Sequence, residues 1–139
     1  MSRVYTPILR QYAKVWGAET YICNTGKYCG KILHLKKGYR CSIHHHEIKD
    51  EVFYILKGMV YLEVDGERYT MEVGDAVRIL PGLKHRFTGI LNSEILEVST
   101  QHLEDDSYRT TQSERCGWFK KNIVDKWRKV RGQTDEQCE

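Results

Sequence analysis

No stretch of this 139-residue chain approaches the roughly 18 consecutive apolar residues of a membrane span, and no membrane partner is expected. The opening residues, Met1-Ser-Arg-Val-Tyr-Thr-Pro-Ile-Leu-Arg10, lack the apolar run of a signal peptide, which makes a cytoplasmic location the expectation. None of the five cysteines, Cys23, Cys29, Cys41, Cys116 and Cys138, forms the close CxxC pair of a zinc knuckle. Their odd number reads as reduced, mostly buried thiols, with a Cys23–Cys29 disulfide as the minor alternative. Charge of one sign is not in excess either. A formal net charge of +3 is too small to imply a nucleic-acid partner. Internal repeats and low-complexity segments are absent. With 40% hydrophobic and 29% charged residues, the chain has the composition of one folded domain rather than a disordered segment.

What is there is a succession of short strand-like runs between turn signals. Lys31-Ile-Leu-His-Leu precedes Lys37-Gly38, and Val52-Phe-Tyr-Ile-Leu precedes Lys57-Gly58. Met59–Val64 precedes Asp65-Gly66, a hairpin signal because a type I′ turn needs positive φ. Further runs are 67–73, ending at Gly74-Asp75, then 76–80, ending at Pro81-Gly82, and 94–99. Val60, Leu62 and Val64 share one face and Tyr61 and Glu63 the other, as one buried and one solvated face require. The expectation is an all-β sandwich or barrel over 21–112, preceded by an arm or strand over 1–20 that joins the barrel or a second subunit. Phe119, Ile123, Trp127 and Val130 recur at helical spacing and predict an amphipathic helix over 113–132, with a flexible tail over 133–139. Its basic residues, Lys120 to Arg131, read as a solvated face opposite a stripe that docks on the barrel or a partner.

Chemistry concentrates in two segments. In an extended strand His44 and His46 point to the same side, because side chains alternate with period two, and His45 points to the other. Two imidazoles on the concave face of a barrel can hold one metal ion. Glu51 opens the next strand after a short turn and can close on the same ion. Phe53 and Ile55 share its parity and pack inward below it. After Pro81-Gly82 throws the chain back, His85 enters as a third imidazole. By the same parity Arg40 lines the barrel and could grip an acidic substrate group, since a guanidinium suits phosphate geometry, or it could be a rim charge in solvent. Lys84 and Arg86 should point away.

Gly38 to Gly58 matches the first cupin motif, G-x5-H-x-H-x4-E-x6-G, at every specified position. Gly74 to Gly89 resembles the second, G-x5-P-x-G-x2-H-x3-N, with Leu80 and Gly89 in place of its Pro and Asn. The resemblance implies a cupin jelly-roll β-barrel with a short C-terminal helix. It also implies one divalent metal ion (Mn, Fe, Zn, Ni or Co) on His44, His46, Glu51 and His85, and a homodimer. Trp16-Gly17-Ala-Glu19, Tyr28-Cys29-Gly30-Lys31, Glu97–Thr100 and Glu104–Arg109 are similar to small sugar cupins akin to mannose-6-phosphate isomerase and D-lyxose isomerase.

That resemblance implies an isomerase or epimerase of a sugar or sugar phosphate, in which an ion stabilises the enediolate while a base moves a proton. Glu51 is the candidate base; His34, Glu97 and His102 are further candidates. An iron-dependent dioxygenase and a non-enzymatic binding module for a sugar or small acid are the alternatives. In each case the partner is a small molecule.

Overall fold

The computed structural model describes residues 3–116. A short 3-10 turn, Pro7–Arg10, leads into thirteen strands in that region. They are β1 (Gln11–Lys14), β2 (Gly17–Asn24), β3 (Cys29–Leu35), β4 (Tyr39–Arg40), β5 (His44–His45), β6 (Glu51–Lys57), β7 (Met59–Val64), β8 (Glu67–Glu72), β9 (Ala76–Ile79), β10 (His85–Gly89), β11 (Ser93–Ser99), β12 (Tyr108–Arg109) and β13 (Glu114–Arg115). One sheet runs β1-β2-β3-β11-β6-β9. In the other, β10 is central: β4 and β5 pair along one edge and β7 along the other, with β8, β12 and β13 outside them. Every strand pairing is antiparallel. This is the expected all-β cupin jelly roll.

Alternation decides what is buried. Leu33, Leu35, Phe53, Ile55 and Ile95 from the first sheet meet Val60, Leu62, Val64 and Phe87 from the second in one core. Each such side chain contributes roughly 1.5–3 kcal/mol of burial. The Asp65-Gly66 hairpin forms as anticipated, with φ of +48° and +83° and Val64 opposite Glu67. Gly58, the last residue of the first motif, has a φ of +89°, and a Cβ there would stand 2.5 Å from the Asn92 carbonyl oxygen. Gly58→Ala therefore strains the backbone and collides with it at once. We expect a loss of about 2 kcal/mol or more, read as a lower urea midpoint with an unchanged m-value.

Several expectations change on inspection. Within the arm over 1–20, Trp16 joins the barrel core: it is buried, edge-on to Phe87 with ring centroids 5.2 Å apart. Tyr61, expected on a solvated face, is only 3% exposed, while Val15 beside Trp16 is on the surface. Cys23 and Cys29 are free thiols. Cys23 pairs with Gly30 and Cys29 with Asn24, which sends their side chains to opposite faces. The helix anticipated over 113–132 and the tail over 133–139 lie outside the described residues beyond Cys116, while Glu114–Arg115 pair with β4. No helix among the described residues is long and apolar enough to cross a membrane.

Candidate metal centre and its cavity

Strand register brings the histidines together. Arg40 lies opposite Thr88, but His44 lies opposite His85, so the stretch between β4 and β5 holds one residue more than β10 does. The Cys41 carbonyl, released from the ladder, accepts from Arg86 Nε at 2.9 Å, and the Phe87 N–H meets Cys41 Sγ at 3.4 Å. Thr111 Oγ1 accepts from the Ile43 N–H at 2.8 Å and from Arg86 at 2.6 Å, holding the bulge from outside. The extra residue reverses parity. His44 shares the inner face with His85, and Arg40 turns outward, where its guanidinium pairs with the Glu114 carboxylate. The structure does not bring Arg40 to the cavity described below. Arg86 also points away, as expected, and is buried.

Each of the three imidazoles is oriented by a backbone carbonyl. Nδ1 of His44 donates to Ser42 O at 2.9 Å, that of His46 to Asp106 O at 2.8 Å, and that of His85 to Leu83 O at 2.9 Å. A carbonyl can only accept, so Nδ1 carries the proton in all three rings and Nε2 presents a lone pair. Ligand atoms of His44, His46 and His85 lie within 4.8 Å of one another. Glu51 Oε2 is 3.3 Å from His46 Nε2 and 3.6 Å from His85 Nε2. Glu51 Oε2 and His85 Nε2 are buried with no hydrogen-bond partner. Two orphaned acceptors aimed at one point are costly unless a cation or proton lies between them.

Protonation follows the same logic. Burial, then Glu97, pushes the Glu51 carboxyl up to about 8. Burial, with Lys49 beside it, lowers His46 to about 4; burial, with the neighbouring imidazoles of His44 and His46, lowers His85 to about 3; and burial lowers His44 as well. Neutral imidazoles beside an orphaned carboxyl group are the donor set a divalent ion takes, and an ion would hold Glu51 ionised. The residues therefore fit a metal centre. Mixed nitrogen and oxygen donors suit any of several first-row ions. His45 faces the other way, stacked on Tyr108 at 5.1 Å with Nε2 3.1 Å from Glu47.

Asp106 was not anticipated, and it organises the turn between His46 and Glu51. Its carboxylate accepts from the N–H groups of Glu47 at 2.9 Å, Ile48 at 3.1 Å and Lys49 at 3.0 Å, while its carbonyl holds His46. It is 4% exposed. Parity within one strand carries no trace of a contact made 60 residues away. A tight Asp-Asp-Ser turn after the last long strand was the only local signal.

The centre opens into a cavity of about 380 Å³. His44, His46 and Glu51 line it beside a wall of charged groups, and His85 is sealed beneath. Lys49 Nζ donates to Glu97 Oε2 at 2.9 Å, and both side chains are buried. Lys31 Nζ reaches Glu19 at 3.3 Å and His102 Nδ1 at 3.3 Å and lies 4.4 Å over the Tyr21 ring. Burial alone would raise Glu97, but Lys49 and Lys31 outweigh it and hold the carboxyl well below its ordinary range. Burial likewise opposes the Lys31 charge, yet Glu97 and Glu19 raise its pKa. Of the further base candidates, Glu97 and His102 line this cavity. His34 lies in a different depression with Lys36, Lys57 and Glu94, and its Nε2 is 2.9 Å from Thr20 Oγ1.

The fold is shared with known proteins. Residues 31–98 match the family model of the cupin domain, and the chain has the cupin fold. An uncharacterized protein of Methanocaldococcus jannaschii, MJ1618, is 27% identical over 100 residues, 61% of this chain and 78% of the relative. Among solved structures, KdgF from Halomonas sp. superposes with a TM-score of 0.60 at 19% identity, covering 63% of this chain and 81% of that one. Streptomyces Pac13, a nucleoside dehydratase, gives 0.70 at 11% identity over 81% and 93%. Oxalate decarboxylase from Bacillus subtilis gives 0.60 at 14% identity over 72% of this chain and 29% of the larger protein. At these identities the likeness is one of fold.

Proposed function

We propose that this protein is a metal-dependent isomerase or epimerase of a small sugar or sugar phosphate. One observation carries the reading. Three Nε2 lone pairs and the Glu51 carboxylate converge at the floor of a cavity whose wall is charged and polar, including Lys31, Lys49, Glu97 and Glu19. An apolar ligand would leave that wall unsatisfied, whereas a polyhydroxylated one can replace its water. A bound divalent ion supplies a Lewis acid for adjacent carbonyl and hydroxyl oxygens.

The chain's own groups then divide the work. His44, His46 and His85, each oriented by its carbonyl, would hold the ion together with Glu51. Glu97 is a poor proton acceptor, because two ammonium groups keep it ionised at low pH. His102 has Nδ1 on Lys31 and Nε2 3.4 Å from Glu104, which leaves neither nitrogen for substrate. Glu51 Oε2 is the remaining carboxylate oxygen at the cavity floor without a hydrogen bond, and Glu51 would move a proton between adjacent substrate carbons once it detaches from the ion. The fold neighbours include a nucleoside dehydratase and an oxalate decarboxylase, which supports small-molecule chemistry on this scaffold.

The test is proton exchange. Protein loaded separately with Mn, Fe, Zn, Ni or Co is incubated in deuterated water with a panel of aldoses, ketoses and their phosphates. Deuterium should appear at the carbon beside the carbonyl, only with metal, and not with His46→Ala. Oxygen consumption by the iron form without exchange would replace this reading with a dioxygenase. Saturable sugar binding without turnover would replace it with a binding module.

A further inference from the structure

We infer that Arg109 recognises an oxyanion group, a carboxylate or a phosphate, on the molecule that enters the metal cavity. The inference rests on the reading of that cavity as a small-molecule site. Cations on its lining are Lys14, Lys31, Lys49 and Arg109. Glu19 meets Lys14 at 3.7 Å and Lys31 at 3.3 Å, and Glu97 meets Lys49 at 2.9 Å. Arg109 has no ion pair among the described residues. Each other lining cation is already answered by a carboxylate, so Arg109 supplies the charge left over for a ligand.

Its position suits that role. Arg109 belongs to β12 and pairs in register with His44 on β5, so its backbone is fixed beside a metal-binding residue. The side chain is exposed at the cavity lining, where an incoming anion meets it before the buried floor. A guanidinium takes two oxygens of one carboxylate or phosphate at once, which fixes orientation as well as charge. A ligand anchored at Arg109 would direct its other oxygens toward His44, His46 and Glu51. This is the role the sequence suggested for Arg40, which the bulge turns outward.

Inorganic phosphate and acetate serve as probes, titrated into metal-loaded full-length protein and followed by calorimetry and by NMR. Metal content is measured on every variant. Wild type should bind at least one of the two anions. Arg109→Gln should weaken that binding roughly tenfold or more, Arg109→Lys should restore part of it, and Arg40→Gln should leave it unchanged, all at equal metal content. A phosphate preference identifies a phosphorylated substrate and an acetate preference a carboxylic acid. Binding that survives Arg109→Gln, or no binding of either anion, overturns the inference. Failure of sugar turnover alone does not touch it, because the probes report recognition without chemistry.

Discussion

Replacing Glu51 with Gln should stabilise the metal-free protein and, in the same variant, abolish its capacity for a divalent ion. The two effects have opposite signs because the same buried oxygen is a liability without a cation and a ligand with one. In the free protein Glu51 Oε2 lies beside His85 Nε2 with no other partner, and at neutral pH the buried carboxyl must take up a proton to stay there. A Gln amide keeps the shape, carries no charge and donates an N–H toward the imidazoles. We expect a gain of about 2 kcal/mol at neutral pH, a rise of roughly 6 °C in Tm. Metal content should fall from about one equivalent to near zero by elemental analysis.

The pH dependence of the metal-free protein follows from the same groups. Glu51 has a folded pKa raised from 4.5 to about 8, so its favourable contribution is complete below the unfolded value and is lost as pH rises toward 8. His46 and His85 have folded values lowered from 6.5, so theirs is complete above 6.5 and is lost as pH falls toward 4 and 3. Stability should therefore decline on both sides of a maximum on the mildly acidic side of neutrality. Glu51→Gln should remove the alkaline limb and leave the acid one. An alkaline limb that persists in the variant would show that another group causes it.

Asp106→Ala should weaken metal binding by about 10–100-fold without touching a ligand. Three N–H groups of the turn between His46 and Glu51 lose their acceptor, and the alanine carbonyl remains as the partner of His46. The turn relaxes, and the two donors it connects lose their fixed separation. The unpaired N–H groups also cost about 2–3 kcal/mol of fold stability. Asp106→Asn keeps one acceptor oxygen and should fall between. Metal titration by calorimetry, set beside thermal melts, separates the two losses. If affinity stays at the wild-type level while Tm falls, Asp106 serves the fold and not the centre.

The meeting of His44, His46 and His85 and most of the strands were legible because they depend on short-range rules. Period two places His44 beside His46, and Pro81-Gly82 returns the chain so that His85 faces them. Asp65-Gly66 forms the tight hairpin its positive φ values demand. Long-range and irregular features were not legible. Parity counted straight from Arg40 to His44 fails at a one-residue bulge that only the pairing with β10 reveals. The hairpin of β1 and β2 escaped because Gln11–Lys14 is exposed at all four positions and shows no apolar alternation. Nothing local in the sequence marks Lys31 and Lys49 as buried, lysine being seldom so, yet both are enclosed beside carboxylates. Asp106 depends on a contact far along the chain.

That contact also sets an order of events. All four donors are present once the chain has reached His85, but the turn that spaces two of them stays unclamped until Asp106 arrives, 60 residues after His46. Closing so long a loop is slow compared with forming a hairpin. During synthesis the histidines exist for a time as loosely held donors, open to whichever ion is abundant. The spacing of His46 and Glu51 is fixed only when Asp106 has docked. An ion held by this donor set would therefore meet its final geometry only at that late stage of folding.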